Sequence, residues 1–320
     1  MSLSENKSLY KQIKIPKDCK KDRLDKILSS LMPQYSREKL KNWIKNNHIY
    51  VNGVTAKVRQ IVNPHDIIYV NEQPLPETMS FKAEDIKINI VDEKQDWIIV
   101  NKSHGLVTHP GSGNWRGTLL NAILHRYPEL SIVPRAGIVH RLDKNTSGLM
   151  VIARNEISQI HFIRNMQSRN ILRIYIAIVH GHLPNFKTIN MDIGRDRVSR
   201  IKMSVKNPIA GRNAITYCTA VRRGLINGYK VTQLICKLET GRTHQIRVHL
   251  SSIGHPVVGD ILYGGKKILG LERQMLHACF LSFPDLDGKE QSFFIPPPGD
   301  ILIALEAINT TIEAGGAGGI

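Results

Sequence analysis

One carboxylate with a cation on either side marks the part of this 320-residue sequence that could do chemistry. Asp143 lies between Arg141 and Lys144 in GIVHRLDKNTSGLMVIARN, where a short polar break separates two apolar, β-branched stretches. Neighbouring cations favour the ionised form of a carboxylic acid, so Asp143 is expected to be an anion at neutral pH. An anion at a turn between two strands can meet a substrate, as a nucleophile or a base rather than a proton donor. Composition alone favours the plainer interpretation, an Asp that caps its own turn.

The charge balance of the chain indicates a polyanionic partner. Lys and Arg number 44 against 27 Asp and Glu, a formal charge of +17. A protein this basic usually binds nucleic acid, although a solubilising surface has the same composition. The excess is concentrated near the N-terminus. Between positions 11 and 45, eleven Lys or Arg face four Asp or Glu, which leaves +7.

Cysteine usage and hydropathy exclude several protein classes. There is no C-x-x-C pair, so neither a zinc ribbon nor a disulfide framework is indicated for Cys19, Cys218, Cys236 and Cys279. The N-terminal residues lack the apolar core of a signal peptide, and no apolar run is long enough to span a membrane. We expect a reducing, cytoplasmic location.

Periodicity predicts a small helical unit at the N-terminus, followed by a strand pair. Apolar residues at helical spacing predict a helix that starts near Asp22 and ends at Pro33. Ser36 is the expected N-cap of a second helix, REKLKNWIKNN. HIYVNGVTAK then predicts a hairpin with an Asn-Gly turn, and DIIYVNE closes the unit.

A longer, β-rich segment follows a Pro-rich linker. Alternating or continuous apolar patterns predict strands at 96–102, 137–142, 148–154, 173–181, 229–239 and 243–250. Amphipathic patterns predict helices at 117–127 and 156–169. The expected division is a flexible N-terminus (1–19), a small domain (20–75), a linker (76–85), a large domain (86–308) and a disordered tail (309–320).

The stretch HRLDKNTSGLMVIA resembles the signature of the RluA-type pseudouridine synthases, H-R-L-D-x-x-T-S/T-G-L-x-V-x-A. The resemblance implies that Asp143 is the catalytic aspartate. It also implies that Tyr175, in RIYIAIVHG, stacks on the target uracil and that its hydroxyl takes part in proton removal. The family often has Lys two residues before this tyrosine, where the present chain has Arg173.

A third stretch, GRTHQIRVH, resembles the family motif G-R-T/S-H-Q-I/L-R-V-H. It implies that Arg247 forms an ion pair with the catalytic aspartate, for which we expect bidentate geometry. His244 and His249 raise the question of a metal site, but their spacing of five without a neighbouring acid does not fit one. The glycine-rich GHPVVGDILYGG is expected to serve turns.

The N-terminal segment RLDKIL…YSREKLKNWIKNNHIYVNG resembles an S-four-like RNA-binding domain. Lys39, Lys41 and Lys45 are its candidate phosphate contacts, unless they form only a solvated helix face. The family resemblance implies that Arg141 fills the gap left by a flipped base, or else contacts a phosphate. The implied partner is large-subunit ribosomal RNA or a pre-ribosomal particle, with the stem-loop called helix sixty-nine as target.

The expected fold is therefore α+β: a mixed, mostly antiparallel sheet in the catalytic domain, with the small RNA-binding domain at the N-terminus. Isomerisation of uridine gains and loses no atom, so we expect no metal and no other cofactor. We expect a monomer. Two alternatives stay open: a sibling synthase acting on other rRNA sites or on tRNA, and a binding-only ribosome assembly factor. A glycosidase or nuclease is disfavoured because the paired acids and metal ligands are missing.

Overall fold

In the computed structural model, the residues described are 10–33, 35, 37–72, 81–111 and 113–309. The chain divides into two units, Met1–Thr78 and Met79–Ile320. The predicted cap at Ser36, residues 1–9 of the predicted flexible N-terminus, part of the predicted linker and almost all of the predicted tail lie outside the described residues. The flexible N-terminus is predicted to extend to residue 19, but Lys11–Lys14 form a strand that pairs with Ile67–Val70.

The first unit combines two helices with short strands. The helices are α1 (Leu24–Leu31) and α2 (Arg37–Lys45). The strands are β1 (Lys11–Lys14), β2 (Asp22–Arg23), β3 (Ile49–Val51), β4 (Val54–Thr55), β5 (Ile61–Val62) and β6 (Ile67–Val70). Four of them form a sheet in the order β1-β6-β3-β4, and β2 pairs with β5. The apolar stripes of both helices pack in one core, with Leu24, Leu28, Leu40 and Ile44 almost fully buried, as their helical spacing predicts.

A buried carboxylate joins the two helices of this unit. The Asp25 side chain has no exposed surface and accepts hydrogen bonds from Arg37 Nη2 at 2.6 Å and Arg23 Nε at 3.0 Å. Burial raises the pKa of Asp25, but the hydrogen bonds from Arg37 and Arg23 outweigh it and the pKa is lowered overall.

Asp25→Asn is expected to destabilise this unit by about 2–3 kcal/mol, because two guanidinium groups lose a charged acceptor. Because the pKa of Asp25 is lower in the folded state, the ionised carboxylate stabilises the fold at any pH above the unfolded pKa. This stabilisation is lost as the pH falls below about 4, so wild type and Asp25→Asn should have similar stability in acid. Hydrogen exchange of peptides covering 24–45 measures both effects. Equal protection at neutral pH would contradict the ion pair's contribution.

The second unit contains the longer elements. Its helices are α3 (Leu119–Arg126), α4 (Glu156–Gln167), α5 (Gln245–Ser252) and α6 (Gly299–Glu306). Its strands are β7 (Asn89–Glu93), β8 (Trp97–Lys102), β9 (Ser147–Ala153), β10 (Leu172–His180), β11 (Phe186–Asn190), β12 (Ile193–Arg195), β13 (Met203–Ser204), β14 (Ile209–Arg212), β15 (Ile215–Ile226), β16 (Tyr229–Leu238), β17 (Leu276–Pro284) and β18 (Glu290–Phe294). In the part of the chain that is described, no helix has the length and apolarity needed to cross a bilayer.

One large sheet organises this unit. Its strand order is β11-β15-β16-β10-β17-β9-β8-β7, with β18 paired to β17, and β12 to β14 form a separate small sheet. The β17–β9 pair is parallel, whereas the other pairs are antiparallel. Alternate residues of β8 and β9 enter two cores on opposite faces, one containing α3 and the other containing Phe162 of α4. This is the expected α+β fold.

The predicted strand at 137–142 is wrong. Residues Pro134–Gly137 form a 3₁₀ turn, in which Arg135 and Ala136 have φ of 55° and 49°. Gly137 lies so close to β9 that a Cβ would fall 1.9 Å from the Ala153 carbonyl oxygen. After Gly137, the Val151 N–H of β9 donates to His140 Nε2 at 3.0 Å. A side chain therefore takes the place of the backbone carbonyl that a neighbouring strand would offer. Asp143 therefore lies in a loop that leads into one strand, not at a turn between two.

The predicted strand at 243–250 is also wrong, because this segment forms α5. Its alternation of polar and apolar residue types does not match its burial, since every residue from Gln245 to Leu250 is buried. His244 has φ of 57°, which a strand does not allow. The Gln245 side chain accepts from Thr240 Oγ1 at 2.8 Å and from Arg242 N–H at 2.9 Å, and so restrains the loop that leads into the helix.

Candidate active site

Asp143 and Arg247 meet across a wide separation in sequence. Arg247 Nη1, on α5, donates to Asp143 Oδ2 at 2.9 Å. The bidentate geometry expected for this pair belongs to another carboxylate: Arg247 Nε and Nη2 donate to Asp260 at 2.6 and 2.8 Å. The guanidinium is thus oriented by Asp260 and presents its remaining nitrogen to Asp143.

Arg247 is held between two carboxylates in a buried position. The side chains of Arg247 and Asp260 are 8% and 1% exposed, and that of Asp143 is 15% exposed. Burial by itself lowers the pKa of Arg247, but Asp260 and Asp143 raise it overall, so the guanidinium stays charged. Within the described residues, Asp143 Oδ1 accepts no hydrogen bond, which leaves this oxygen able to attack carbon or accept a proton.

His244 is the other group near that oxygen. Its Nε2 lies 3.9 Å from Asp143 Oδ1, and its Nδ1 lies 2.7 Å from the Tyr263 hydroxyl. The same hydroxyl accepts from Met203 N–H at 2.9 Å, and the Arg247 guanidinium lies over the Tyr263 ring at 5.0 Å. Burial lowers the pKa of His244, so the ring is neutral at pH 7. These contacts support a neutral imidazole beside the carboxylate.

A buried lysine supports the loop that contains Asp143. Lys102 is 1% exposed, and its Nζ donates to the carbonyls of Ser103 and Leu106 at 2.9 Å and of Lys144 at 3.2 Å. Burial lowers the pKa of Lys102 to about 7, against an opposing contribution from Asp143. Lys102 therefore joins the end of β8 to the residue that follows Asp143.

Further side chains hold the same loop on both sides of the aspartate. Thr108 Oγ1 donates to the Leu142 carbonyl at 2.8 Å. Arg273, itself paired with Asp300 at 2.6 Å, donates to the Asn145 carbonyl at 3.1 Å. Each backbone group is restrained by a buried partner, so the position of Asp143 is defined by tertiary contacts.

Tyr175 lies on β10 beside a break in strand pairing. The register between β10 and β17 shifts at Ile174/Tyr175, an irregularity of the kind that re-aims side chains near active sites. Tyr175 is 6% exposed, and burial raises the pKa of its phenol to about 12, with a further raising contribution from Asp143. The phenol is therefore protonated at pH 7 and lies within electrostatic range of Asp143. Its stacking role stays a prediction.

The approach to Asp143 is basic. Arg141 and Arg135 are exposed. Burial, followed by the charges of these two arginines, lowers the pKa of His109 to about 4. The exposed position of Arg141 is compatible with both roles considered for it, base replacement and phosphate contact.

The three candidate lysines of the first unit have different surroundings. Lys39 Nζ is buried over the rings of Tyr35 and Trp43, at 4.7 and 4.9 Å from their centroids. Lys41 Nζ lies 3.9 Å from Asp25, and Lys45 is exposed at the end of α2. Their RNA contacts stay predictions, and Lys45 has the most accessible ammonium of the three.

Asp260, Lys102 and Tyr263 are site residues that the sequence did not identify. Asp260 stands in GHPVVGD, a stretch whose glycines predict turns. That prediction is correct for Gly259, which has φ of 78° and where a Cβ would fall 2.0 Å from the Arg273 carbonyl oxygen. The signal that could have identified Asp260 was a single acid in a stretch without other acids or basic Lys and Arg. Such a signal is weak when the partner of the acid is not known. Among the described residues, no cluster of acids, histidines and cysteines could hold a metal ion.

Comparison with known proteins accounts for both units. The RNA pseudouridylate synthase family matches residues 96–252, and the S4 domain matches residues 22–68. The ribosomal large subunit pseudouridine synthase D of Neisseria meningitidis serogroup B is 42% identical over 314 residues, which cover 94% of this chain and 82% of the relative. The protein of the same name from Escherichia coli K12 is 39% identical, over 91% of this chain and 92% of its own length.

Solved structures agree with these matches. The human RNA pseudouridylate synthase domain containing 1 protein has a TM-score of 0.54 and 29% identity, and the match covers 71% of this chain and 86% of that protein. The human protein called RNA pseudouridylate synthase domain containing 4 has a TM-score of 0.52 and 22% identity. It shares the fold over 68% of this chain and 92% of its own length. With relatives this similar over most of its length, and with Arg247 bonded to Asp143 at 2.9 Å, the chain belongs to the RNA pseudouridylate synthase family and is an RNA pseudouridine synthase with an N-terminal S4 domain.

Proposed function

We propose that this enzyme converts uridines of large-subunit ribosomal RNA to pseudouridine, with helix sixty-nine as its target. The names of the relatives that match both units support the rRNA substrate, and the sequence resemblance alone supports the stem-loop. The observation that favours catalysis over simple binding is the geometry of Asp143: Oδ2 is held by Arg247 at 2.9 Å, and Oδ1 accepts no hydrogen bond among the described residues.

The chemistry requires one carboxylate near the anomeric carbon of the target nucleotide. When the bond between C1′ and N1 breaks, the electron-deficient sugar carbon is stabilised by the negative charge of Asp143. The carboxylate acts as a nucleophile or as a base towards the sugar, and its free Oδ1 suits either step. The detached uracil turns and re-bonds through C5, after which C5 loses a proton and N1 gains one.

The target base must leave its stack before it can react. Arg141 is exposed two residues before Asp143, so it can occupy the space that the base leaves while the sugar reaches the carboxylate. Tyr175 would then contact the base. The enzyme acts in the cytoplasm, as a monomer, on naked rRNA or an assembling particle.

Incubation of the enzyme with unmodified large-subunit rRNA tests the substrate. Pseudouridine has the mass of uridine, so the RNA is treated with carbodiimide and the modified positions are mapped as reverse-transcription stops. Stops in the helix sixty-nine loop support the proposal. Stops elsewhere in the rRNA, or only in tRNA, replace the target. Tight binding without any stop would instead favour an assembly factor.

Deletion of residues 1–78 is expected to weaken RNA binding and to flatten its salt dependence, because the S4 unit contains +7 of the net charge between positions 11 and 45. The slope of log K against log salt should fall by about one for each phosphate that the enzyme no longer binds. Lys45→Gln should lower the slope by about one. Lys11→Gln should lower it less, because the Lys11 ammonium lies 3.4 Å from the Glu72 carboxylate and is already paired. An unchanged slope after the deletion would place RNA binding in the catalytic unit.

A further inference from the structure

Arg173 is a buried cation that the chemistry described so far leaves unused. It is 8% exposed and stands two residues before Tyr175 on β10, so both side chains lie on the same face of the sheet. Arg247 and Arg273, each 6% exposed as whole residues, are the other buried arginines of the described part of the chain. Each of these two donates to carboxylate oxygens at 2.6–2.9 Å.

Arg173 differs from both. It forms no ion pair with the described residues, and its buried Nε has no hydrogen-bond partner. An unpaired charge in such a position is unfavourable unless another group compensates it. Burial lowers the pKa of Arg173, and the nearby Tyr175 opposes that effect. A group of opposite charge that arrives with the substrate would complete the environment of this guanidinium.

Space for the guanidinium is provided by the loop after β16. A Cβ on Gly241 would lie 2.5 Å from Arg173 Nη1, so a glycine here lets the guanidinium stay where it is. Arg173 lowers and Asp143 raises the pKa of the Tyr175 phenol, so both charges lie within electrostatic range of this side chain. Arg173 also affects His140. Burial and then the charge of Arg173 lower the pKa of His140 to about 3, so this imidazole is neutral at pH 7.

We propose that Arg173 binds the carbonyl oxygens of the target uracil and stabilises the negative charge that this base acquires when the bond between C1′ and N1 breaks. The inference rests on the proposed reaction. The electron pair of the broken bond stays with the base and is shared by N1, O2 and O4. The subsequent bond from C5 to C1′, loss of the C5 proton and protonation of N1 return the base to neutrality, so no co-reactant is needed.

A base is a better match for this position than a backbone phosphate. Phosphates lie on the outside of RNA and can be reached by exposed cations such as Arg141, whereas a flipped base enters a pocket of the enzyme. The Arg173 guanidinium is 8% exposed, so little water screens its interaction with a nearby negative charge. Such an interaction accelerates a reaction most when the negative charge develops only during the reaction. Asp143 and Arg173 would then act on opposite products of the same bond cleavage, the sugar and the base.

Single-turnover rates and RNA affinities of Arg173 variants test this inference. Arg173→Met should lower the rate at saturating RNA by about 10²-fold and leave the Kd within about twofold, as for loss of one charge-stabilising donor. Arg173→Lys keeps the charge without the planar fork and should lower the rate about tenfold. Lys237→Met is the matched control: Lys237 is exposed and pairs with Ile174, so it lies on the opposite sheet face and its rate should be unchanged.

Two further measurements separate a chemical role from a structural one. Gly241→Ala keeps the charge of Arg173 but displaces the end of its flexible side chain, so it should lower the rate without unfolding the protein. Replacing the target uridine by 5-fluorouridine makes the base more acidic. The decrease that Arg173→Met causes in the rate of cleavage of the bond between C1′ and N1 should then be smaller. Chromatography of the digested RNA measures this rate.

An Arg173→Met protein with the wild-type rate would overturn the inference, as would an equal loss with uridine and 5-fluorouridine. A weaker Kd together with a lower salt slope would identify a phosphate contact and would also overturn it. If Arg173→Met does not fold, Arg173→Lys and Gly241→Ala provide the same comparison. Modification of a different RNA by the wild-type enzyme refutes the proposed substrate only, because the variants are compared on whichever uridine the wild-type enzyme converts.

Discussion

Asp143→Asn is expected to lower pseudouridine formation by at least about 10⁴-fold and to leave RNA affinity and thermal stability close to wild type. The amide has nearly the same shape, and its oxygen can still accept the 2.9 Å hydrogen bond from Arg247. What it lacks is the negative charge that attacks or stabilises the sugar. Carbodiimide mapping of the rRNA, together with a filter-binding Kd, measures both quantities on the same preparation.

Asp287→Asn is the matched control for that substitution. Asp287 is exposed in the turn between β17 and β18, so the same change there should leave the rate unaltered. A loss of binding or a large drop in Tm for Asp143→Asn would indicate that the carboxylate has a structural role. A rate within about tenfold of wild type would show that another group supplies the essential charge.

Arg247→Met is expected to be the most destabilising substitution in the site. It leaves Asp260, 1% exposed, and Asp143, 15% exposed, without the guanidinium that both contact. Removal of one partner from a buried ion pair lowers the free energy of unfolding by about 3–5 kcal/mol. The rate should also fall by at least about 10²-fold, since Asp143 loses the donor that orients it. Urea unfolding and single-turnover assays measure the two effects.

The double variant Arg247→Met with Asp260→Asn distinguishes these two roles of Arg247. It removes the buried, unpaired charge of Asp260, so a large part of the stability should return. Activity should not return, because Asp143 still lacks its partner. If activity does recover with stability, Arg247 serves only to neutralise Asp260, and the 2.9 Å contact with Asp143 has no part in catalysis.

Elements with a regular apolar pattern could be predicted from the sequence. The repeat of Leu24, Ile27, Leu28 and Leu31 gives α1, and the long apolar runs give β9 and β10 within a residue or two. The failures at 137–142 and 243–250 have a common cause. Both segments are largely buried beside the site, and their backbone is set by left-handed residues and by side-chain hydrogen bonds rather than by a hydrophobic pattern.

The residue types and their order can be read from the printed chain: an acid between two cations, a tyrosine in an apolar strand and an arginine in a polar motif. Which of these side chains contact one another depends on the fold. Asp143 and Arg247 are 104 residues apart, and only the folded chain shows that Arg247 forms its two-pronged pair with Asp260 and that Arg173 has no ion pair among the described residues. The physical reason is that charge interactions depend on distance and burial in space, and neither can be read from separation along the chain.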